Sequence, residues 1–534
     1  MNDYAENSGV ALSPLPSQGM TSPNLPVRER ALRRGFWRVA VWFIVLDVLI
    51  AAFVVGVRLR QFMWIHTDTP YHSMRFDFDI ENAHHWGSTI LRHATAKAAT
   101  AGKGGSGTDW KYFLPAYFEL YQQVIDDHPE GQFGLDYTPA RLLVAALWVR
   151  HEKLIYPHVN AWVRPYPYTA PLLWFNTICE MIAALGAFLL VRHWVWRGTL
   201  KTNADPKRAD SPVPTRAWVV GLVAALLIWF NPAMLYDAHV FPQWEVWLLP
   251  SFFFAAWFAS RGNWLLAGLV VPIGMMLKGQ LAIILPIFIL WPLFEGNWRG
   301  ALRFVIGFLV GSLILVLPWL VRADFGWLKV SFIYPTGHWR HMAAESDNLA
   351  AILENFGWTL TDPVFTIRAR WLHLNKEVPI KTLLVSIYTV CLVLCAWGMS
   401  RKNRRNDPAF LIALTAPWLL MFATLTQMHE RYLLWAAVTT AITVAVSAGW
   451  GLLHVWITLI ATSMIVRPLL GFMGRQSDFP RIAHFLHGIH PGIAWAVLTC
   501  AAVFLYAAIA PHRRGAPYRR VRQQTAPVAL ASPS

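Results

Sequence analysis

The chain has 534 residues, of which 56% are hydrophobic and only 14% charged, against about 25% charged in soluble domains. That composition excludes an ordinary soluble globular protein and leaves a chain whose surface mostly avoids water. The formal net charge of +16 does not point to nucleic acid, because Lys and Arg gather at the ends of apolar runs, where they act as topology determinants.

In chain order, residues 1–34 are rich in Pro, Ser and Asn and end in the basic cluster RERALRR, which reads as a disordered cytoplasmic tail. The apolar run that follows is too long for a cleavable signal and reads as an anchor. About twelve spans are then predicted. The first six are Val39–Val57, Tyr168–Val191, Ala217–Leu235, Gln243–Ser260, Trp264–Leu277 and Leu281–Phe294. The rest are Phe304–Val321, Ile380–Trp397, Ala409–Thr426, Tyr432–Ser447, Trp450–Leu470 and Ile493–Ala510. Many of the 29 Trp sit near the ends of these runs, where an amphipathic ring suits the headgroup layer. All four cysteines fall inside spans, so no structural disulfide is expected.

Alternating the spans from a cytoplasmic N-terminus places nearly every dense Arg/Lys cluster on one side, and the count closes with the basic tail 511–534 on that same side. The expected architecture is an all-α polytopic membrane protein with both termini inside. Its transmembrane domain covers residues 35–510, and two long extracytoplasmic loops cover residues 58–167 and 322–379. The first loop contains Tyr112–Val124 and Pro139–Val149, too short or too weakly apolar to cross and better read as amphipathic helices at the interface. A smaller outer loop covers Gly471–Gly492.

Distinctive polar residues collect at the outer ends of the spans. Asp77, Asp79 and Glu81 lie in RFDFDIENAHHW, and Asp136 follows in GLDYTP. Asp237, His239, Gln243 and Glu245 lie in NPAMLYDAHVFPQWE, Lys278 in LKGQ, and His429, Glu430 and Arg431 in QMHERY. Acids and cations far apart in sequence but sharing one membrane face predict a common cavity. Such a cavity suits transfer of a group from a lipid phosphate: cations neutralise the leaving phosphate, and a carboxylate deprotonates an acceptor hydroxyl. Structural alternatives exist for several of these residues. Asp136 is placed to cap the helix at Pro139, Asp237 and Glu245 to order a helix junction, and Lys278 or Arg431 to snorkel. Glu180, inside a span, reads as a protonated or hydrogen-bonded packing residue. His484, His487 and His490 read as one face of a solvated interfacial helix rather than as a metal site.

At these motifs the chain resembles the GT-C glycosyltransferases that use polyprenyl-phosphate sugars, above all the dolichyl-phosphate-glucose-dependent glucosyltransferases of asparagine-linked glycan assembly and their bacterial relatives. The family's D-Y-E-A-Q-R-H-W is DIENAHHW here, its GLDYPP is GLDYTP, its N-P-A-L segment is NPAM with Asp237 and Gln243, and its H-E-K is HER. The likeness runs from about Arg75 to Leu434. It implies a GT-C-like fold and an inverting glycosyltransferase moving a hexose to a hydroxyl of a glycan, lipid-linked sugar or polymer. It assigns the catalytic base to Asp79 and the donor phosphate to His429, Arg431 and Lys278. Supporting roles fall to Asp77, Glu81, Asp136, Asp237, Gln243 and Glu430. Neither a metal nor another cofactor is expected, and no nucleic acid; the partners are the lipid-phosphate donor, the acceptor and membrane lipid. A bacterial inner membrane is the expected location, or the endoplasmic reticulum in a eukaryote. A transporter or flippase of lipid-linked sugars is the alternative, disfavoured because such proteins bind at broken helices near the midplane.

Overall fold

The computed structural model describes residues 27–66, 78–102, 105–128, 135–159, 162–163, 166–202, 213–322, 325–333, 341–343, 345–369, 374–471 and 480–511. Asp77, most of the two tails and the basic stretch 203–212 therefore lie outside the described residues. The chain divides into a unit of residues 1–56 and a second of residues 57–534. Helix α1 (Val27–His66) begins one residue before the basic cluster, so helix replaces the expected disorder from Val27 onward.

Residues 57–534 are overwhelmingly helical. Among the described residues, seven helices are long and apolar enough to cross a membrane: Leu46–Ile65, Tyr166–Thr199, Thr215–Val240, Trp298–Val321, Ile380–Arg404, Ala448–Leu470 and Gly492–Ile509. The protein is thus a polytopic membrane protein. Four further predicted spans are shorter apolar helices, Glu245–Ser260, Trp264–Leu277, Leu281–Phe294 and Phe410–Thr424. At 1.5 Å per residue a 14-residue helix reaches about 21 Å, short of a roughly 30 Å hydrocarbon layer. Phe410–Thr424 is nonetheless deep in the molecule, with every residue buried, whereas Trp264–Leu277 leaves Leu265, Leu266 and Ile273 exposed. Glycines allow the closest crossing, where Gly268 lies against the backbone of Phe304 and Gly307 against that of Leu265, places where a Cβ would collide.

The first long loop folds into three helices. They are α2 (Phe78–Thr100), α3 (Trp110–Asp127) and α4 (Pro139–Ile155), the latter two covering the stretches predicted as amphipathic. Phe113, Tyr117, Leu120, Tyr121 and Val124 recur at helical spacing on α3 and are buried. Gly87 of α2 permits close approach to Ala145 and Val149 of α4. The second long loop departs from an all-α expectation. Its described residues hold a helical turn at Gly326–Leu328 running into Lys329–Ile333, the short helix Leu349–Asn355, and an antiparallel hairpin pairing Pro363–Ala369 with Leu374–Pro379. The β-branched and aromatic run VFTIR favours extended backbone, and prolines bound the hairpin at both ends. The last apolar span is also longer than predicted, as part of a helix from Pro480 to Ile509 that absorbs most of the expected outer loop.

Candidate functional site

Three breaks in helical order build the site. The first follows the helix Thr215–Trp229, where Asn231 caps a new turn by accepting from the Met234 amide and Pro232 occupies the first helical position. A single wide turn, Tyr236–Val240, is followed by irregular backbone and a 3₁₀ turn at Glu245–Leu248. Unwound backbone in an apolar interior needs partners. Asn176 Nδ2 supplies them, donating to the carbonyls of Ala238 (2.9 Å) and Gln243 (3.0 Å), while Trp435 Nε1 donates to that of Glu245 (2.8 Å). The second break is extended backbone at Lys278, after the helix Trp264–Leu277. The third follows Phe410–Thr424, where Gln427 turns with φ of 61° and His429 forms an isolated antiparallel bridge to Glu345.

These breaks bring together Asp237, Gln243, Glu245, Lys278, Glu430 and Arg431, and the first turn of α2 adds Asp79. Gln243 Nε2 donates to Asp79 Oδ2 at 2.5 Å, and Arg431 Nη2 lies 3.6 Å from the same oxygen. The fully buried Glu245 is the hub: its Oε1 accepts from Lys278 Nζ at 2.7 Å and from Arg431 Nε at 3.2 Å. Arg431 Nη1 is 3.7 Å from Glu430 Oε1, and His429 Nδ1 is 3.8 Å from Glu430 Oε2. Both carboxyl oxygens of Asp237, and Glu245 Oε2, are buried without a hydrogen-bond partner among the described residues. Asp79 differs from these acids because its side chain is 23% exposed.

Charge in the cluster differs from the sequence reading in two respects. Burial, followed by repulsion from Arg431 and Lys278, pushes the His429 imidazole down to about 3, so it is a neutral ring near neutral pH and not a cation. Burial pushes the Glu430 carboxyl up to about 7, against the pull of Arg431. Burial also lowers the Lys278 ammonium, an effect that the Glu245 carboxylate opposes.

Two expected contributors stay outside. Glu81 is exposed and lines a separate cleft. Asp136 does not cap α4, whose N-cap is Thr138 with no side-chain cap bond. Among the described residues the exposed Asp136 carboxylate pairs only with Arg141, at 3.9 Å. Sequence reasoning missed Arg141 itself. Its guanidinium lies over Tyr137 (3.7 Å) and Trp244 (4.3 Å), and its Nε is buried without a hydrogen-bond partner among the described residues. The available signal was its place two residues after the helix-starting Pro139, just beyond GLDYTP. The histidines of the last helix are not merely solvated: His490 contacts the buried Asp347, which is also held by Arg467 Nη1 at 2.7 Å. Among the described residues no three His, Cys, Asp or Glu side chains converge as a metal-binding group.

No protein-family model matches the chain, and no curated protein matches it. The functional reading therefore rests on this geometry.

Proposed function

We propose that the protein is an inverting glycosyltransferase of GT-C type, moving a hexose from a polyprenyl-phosphate donor to a hydroxyl acceptor at the extracytoplasmic face of a bacterial inner membrane. The observation that carries this reading is the 3.6 Å approach of Arg431 to the accessible carboxylate of Asp79. One group suited to a base and one suited to a phosphate thus meet at the mouth of a buried charge cluster. Asp79 Oδ takes the acceptor's hydroxyl proton as that oxygen forms a bond to the anomeric carbon. The bond from the anomeric carbon to the phosphate oxygen breaks on the opposite face, and polyprenyl phosphate leaves with the electron pair. Arg431 and Arg141, backed by Lys278, offset the negative charge that develops on it. Glu245 fixes Lys278 and Arg431 before substrate arrives, so little reorganisation is needed during the reaction. The neutral His429 acts as a hydrogen-bonding group beside that charge.

Asp79→Asn tests the reading with purified protein and a synthetic polyprenyl-phosphate hexose. Loss of glycoside formation with unchanged thermal stability is expected, and full activity in the variant would overturn the assignment.

The flippase reading has two observations in its favour: the Arg60–Glu180–His239 cluster among the spans, because intramembrane ions often mark transport pathways, and a candidate site built at breaks in helices. Reconstitution separates the two: an enzyme yields a new glycoside, whereas a flippase changes only the leaflet that holds the lipid.

A further inference from the structure

The helices of the first loop form a feature that the charge cluster does not use, an open cleft of about 870 Å³ between α2, α4 and the segment after α4. Binding sites for small molecules are typically about 300–1,000 Å³. One face of α2, with Glu81, Asn82, His85, Ser88 and Arg92 at helical spacing, forms one wall. Glu152, Lys153 and Trp162 contribute to the rest.

A buried acid marks the cleft as built. His84 Nε2 and Glu152 Oε2 are 2.8 Å apart, with both side chains at least nine-tenths buried. Ser88 Oγ lies 3.3 Å from the other imidazole nitrogen, which holds the ring in place. Glu152 Oε1 is also buried, yet it has no hydrogen-bond partner among the described residues. A carboxylate oxygen can only accept, and leaving a buried one unpaired is costly, so a ligand that donates a hydrogen bond fits this position.

The lining defines that ligand. Glu81 and Glu152 balance Arg92 and Lys153, which favours neither a polyanion nor a polycation. Side chains that hydrogen-bond dominate, and Trp162 adds an aromatic side chain to the lining. Hydroxyl-rich, uncharged molecules match that mixture, since each hydroxyl both donates and accepts. Asp79 lies three residues before Asn82 on α2, about one helical turn. From Asn82 to Thr95 the wall runs about 20 Å at 1.5 Å per residue, room for several sugar rings.

We propose that this cleft binds a neutral oligosaccharide acceptor and that Glu152 Oε1 anchors it by accepting a hydrogen bond from a sugar hydroxyl. The assignment of the ligand as acceptor rests on the glycosyl-transfer reading: a chain lying along α2 delivers its terminal hydroxyl to Asp79.

The test titrates the full chain in lipid nanodiscs with neutral pentasaccharides of glucose and of mannose, and with a sulfated pentasaccharide as control. At least one neutral sugar is expected to bind. Glu152→Gln should weaken it about tenfold, the scale of losing a charge-assisted hydrogen bond. Asn82→Trp, which fills the cleft without replacing either member of the His84–Glu152 pair, should abolish binding. Binding of the sulfated sugar alone, or equal binding by Glu152→Gln and Asn82→Trp, overturns the proposal. Donor hydrolysis by water, which needs no sugar acceptor, separates the two readings. Asp79-dependent hydrolysis with no saccharide binding removes the cleft and keeps the transferase. Glu152-dependent binding with no donor turnover removes the transferase and the acceptor role, keeping only a saccharide site.

Discussion

Two buried charge clusters use the same residue types and reach opposite states. In the first, among the spans, Arg60 Nε is 2.5 Å from Glu180 Oε2 and His239 Nε2 is 3.0 Å from Glu180 Oε1, so both carboxylate oxygens are occupied. Arg60 also donates to the Trp229 carbonyl at 2.9 Å and lies 3.7 Å over the Trp229 ring. Of the two sequence readings for Glu180, the hydrogen-bonded one holds, in the form of a salt bridge. In the second cluster, Glu245 meets both of its cations through one oxygen and leaves the other unpartnered, both oxygens of Asp237 lack partners, and Asp79 opens to solvent. A saturated cluster of ions ties helices together. An unsaturated one at the surface has capacity left for a ligand, and that difference, more than the presence of charge, separates a staple from a site.

Substitutions can break this comparison. The largest functional effect belongs to Asp79→Asn, which should lower transfer roughly 10²–10⁴-fold, the range of general-base catalysis, with no change in melting temperature. Glu180→Ala should do the reverse. Removing one partner of a buried pair costs about 3–5 kcal/mol, so thermal unfolding in detergent should occur at lower temperature while the folded fraction keeps its turnover. Unchanged melting in Glu180→Ala would dissolve the distinction. Arg141→Gln should raise the donor KM about tenfold, the scale of a lost charge-assisted contact, and leave the affinity for a neutral acceptor unchanged. An unaltered donor KM would remove Arg141 from the phosphate side.

How much of this was legible follows from the kind of signal each feature carries. Long apolar runs such as Trp298–Val321 announce themselves, because hydrocarbon thickness demands length and apolarity together. The meeting of Asp79 with Arg431 was expected from motifs sharing one face, yet the hub role of Glu245 was not. A lone acid at a junction says nothing about which of its oxygens is used. The neutrality of His429 was hidden for the same reason, since burial and two neighbouring cations decide it and neither appears in a linear motif. Helix α2 is not legible as a helix: DIENAHHW is polar and short on apolar periodicity, and its close approach to α4 at Gly87 is a property of the fold. The hairpin at Pro363–Pro379 was likewise read only as loop, since two short extended runs offer little signal beside strong helices.

The smallest effect concerns pH and sharpens the comparison, because only the unsaturated cluster holds an acid outside the spans that titrates near neutrality. Glu430 is raised from 4.5 to about 7 by burial, so in the folded protein it keeps its proton where an unfolded chain has lost it. Folding stability attributable to it therefore declines as pH rises from about 4.5 to about 7 and is level above that. His429, lowered from 6.5 to about 3, acts in the other direction: stability declines as pH falls below about 6.5. Function should follow the Glu430 proton. Its loss places a carboxylate 3.7 Å from Arg431 Nη1 and weakens the positive field offered to the donor phosphate. kcat/KM for the donor should fall several-fold as pH rises through about 7, and Glu430→Gln should remove that limb. A profile of kcat/KM between about pH 5 and 9 measures that fall, since groups near neutrality titrate within that window. If the alkaline limb persists unchanged in Glu430→Gln, Glu430 does not set the charge that the phosphate meets.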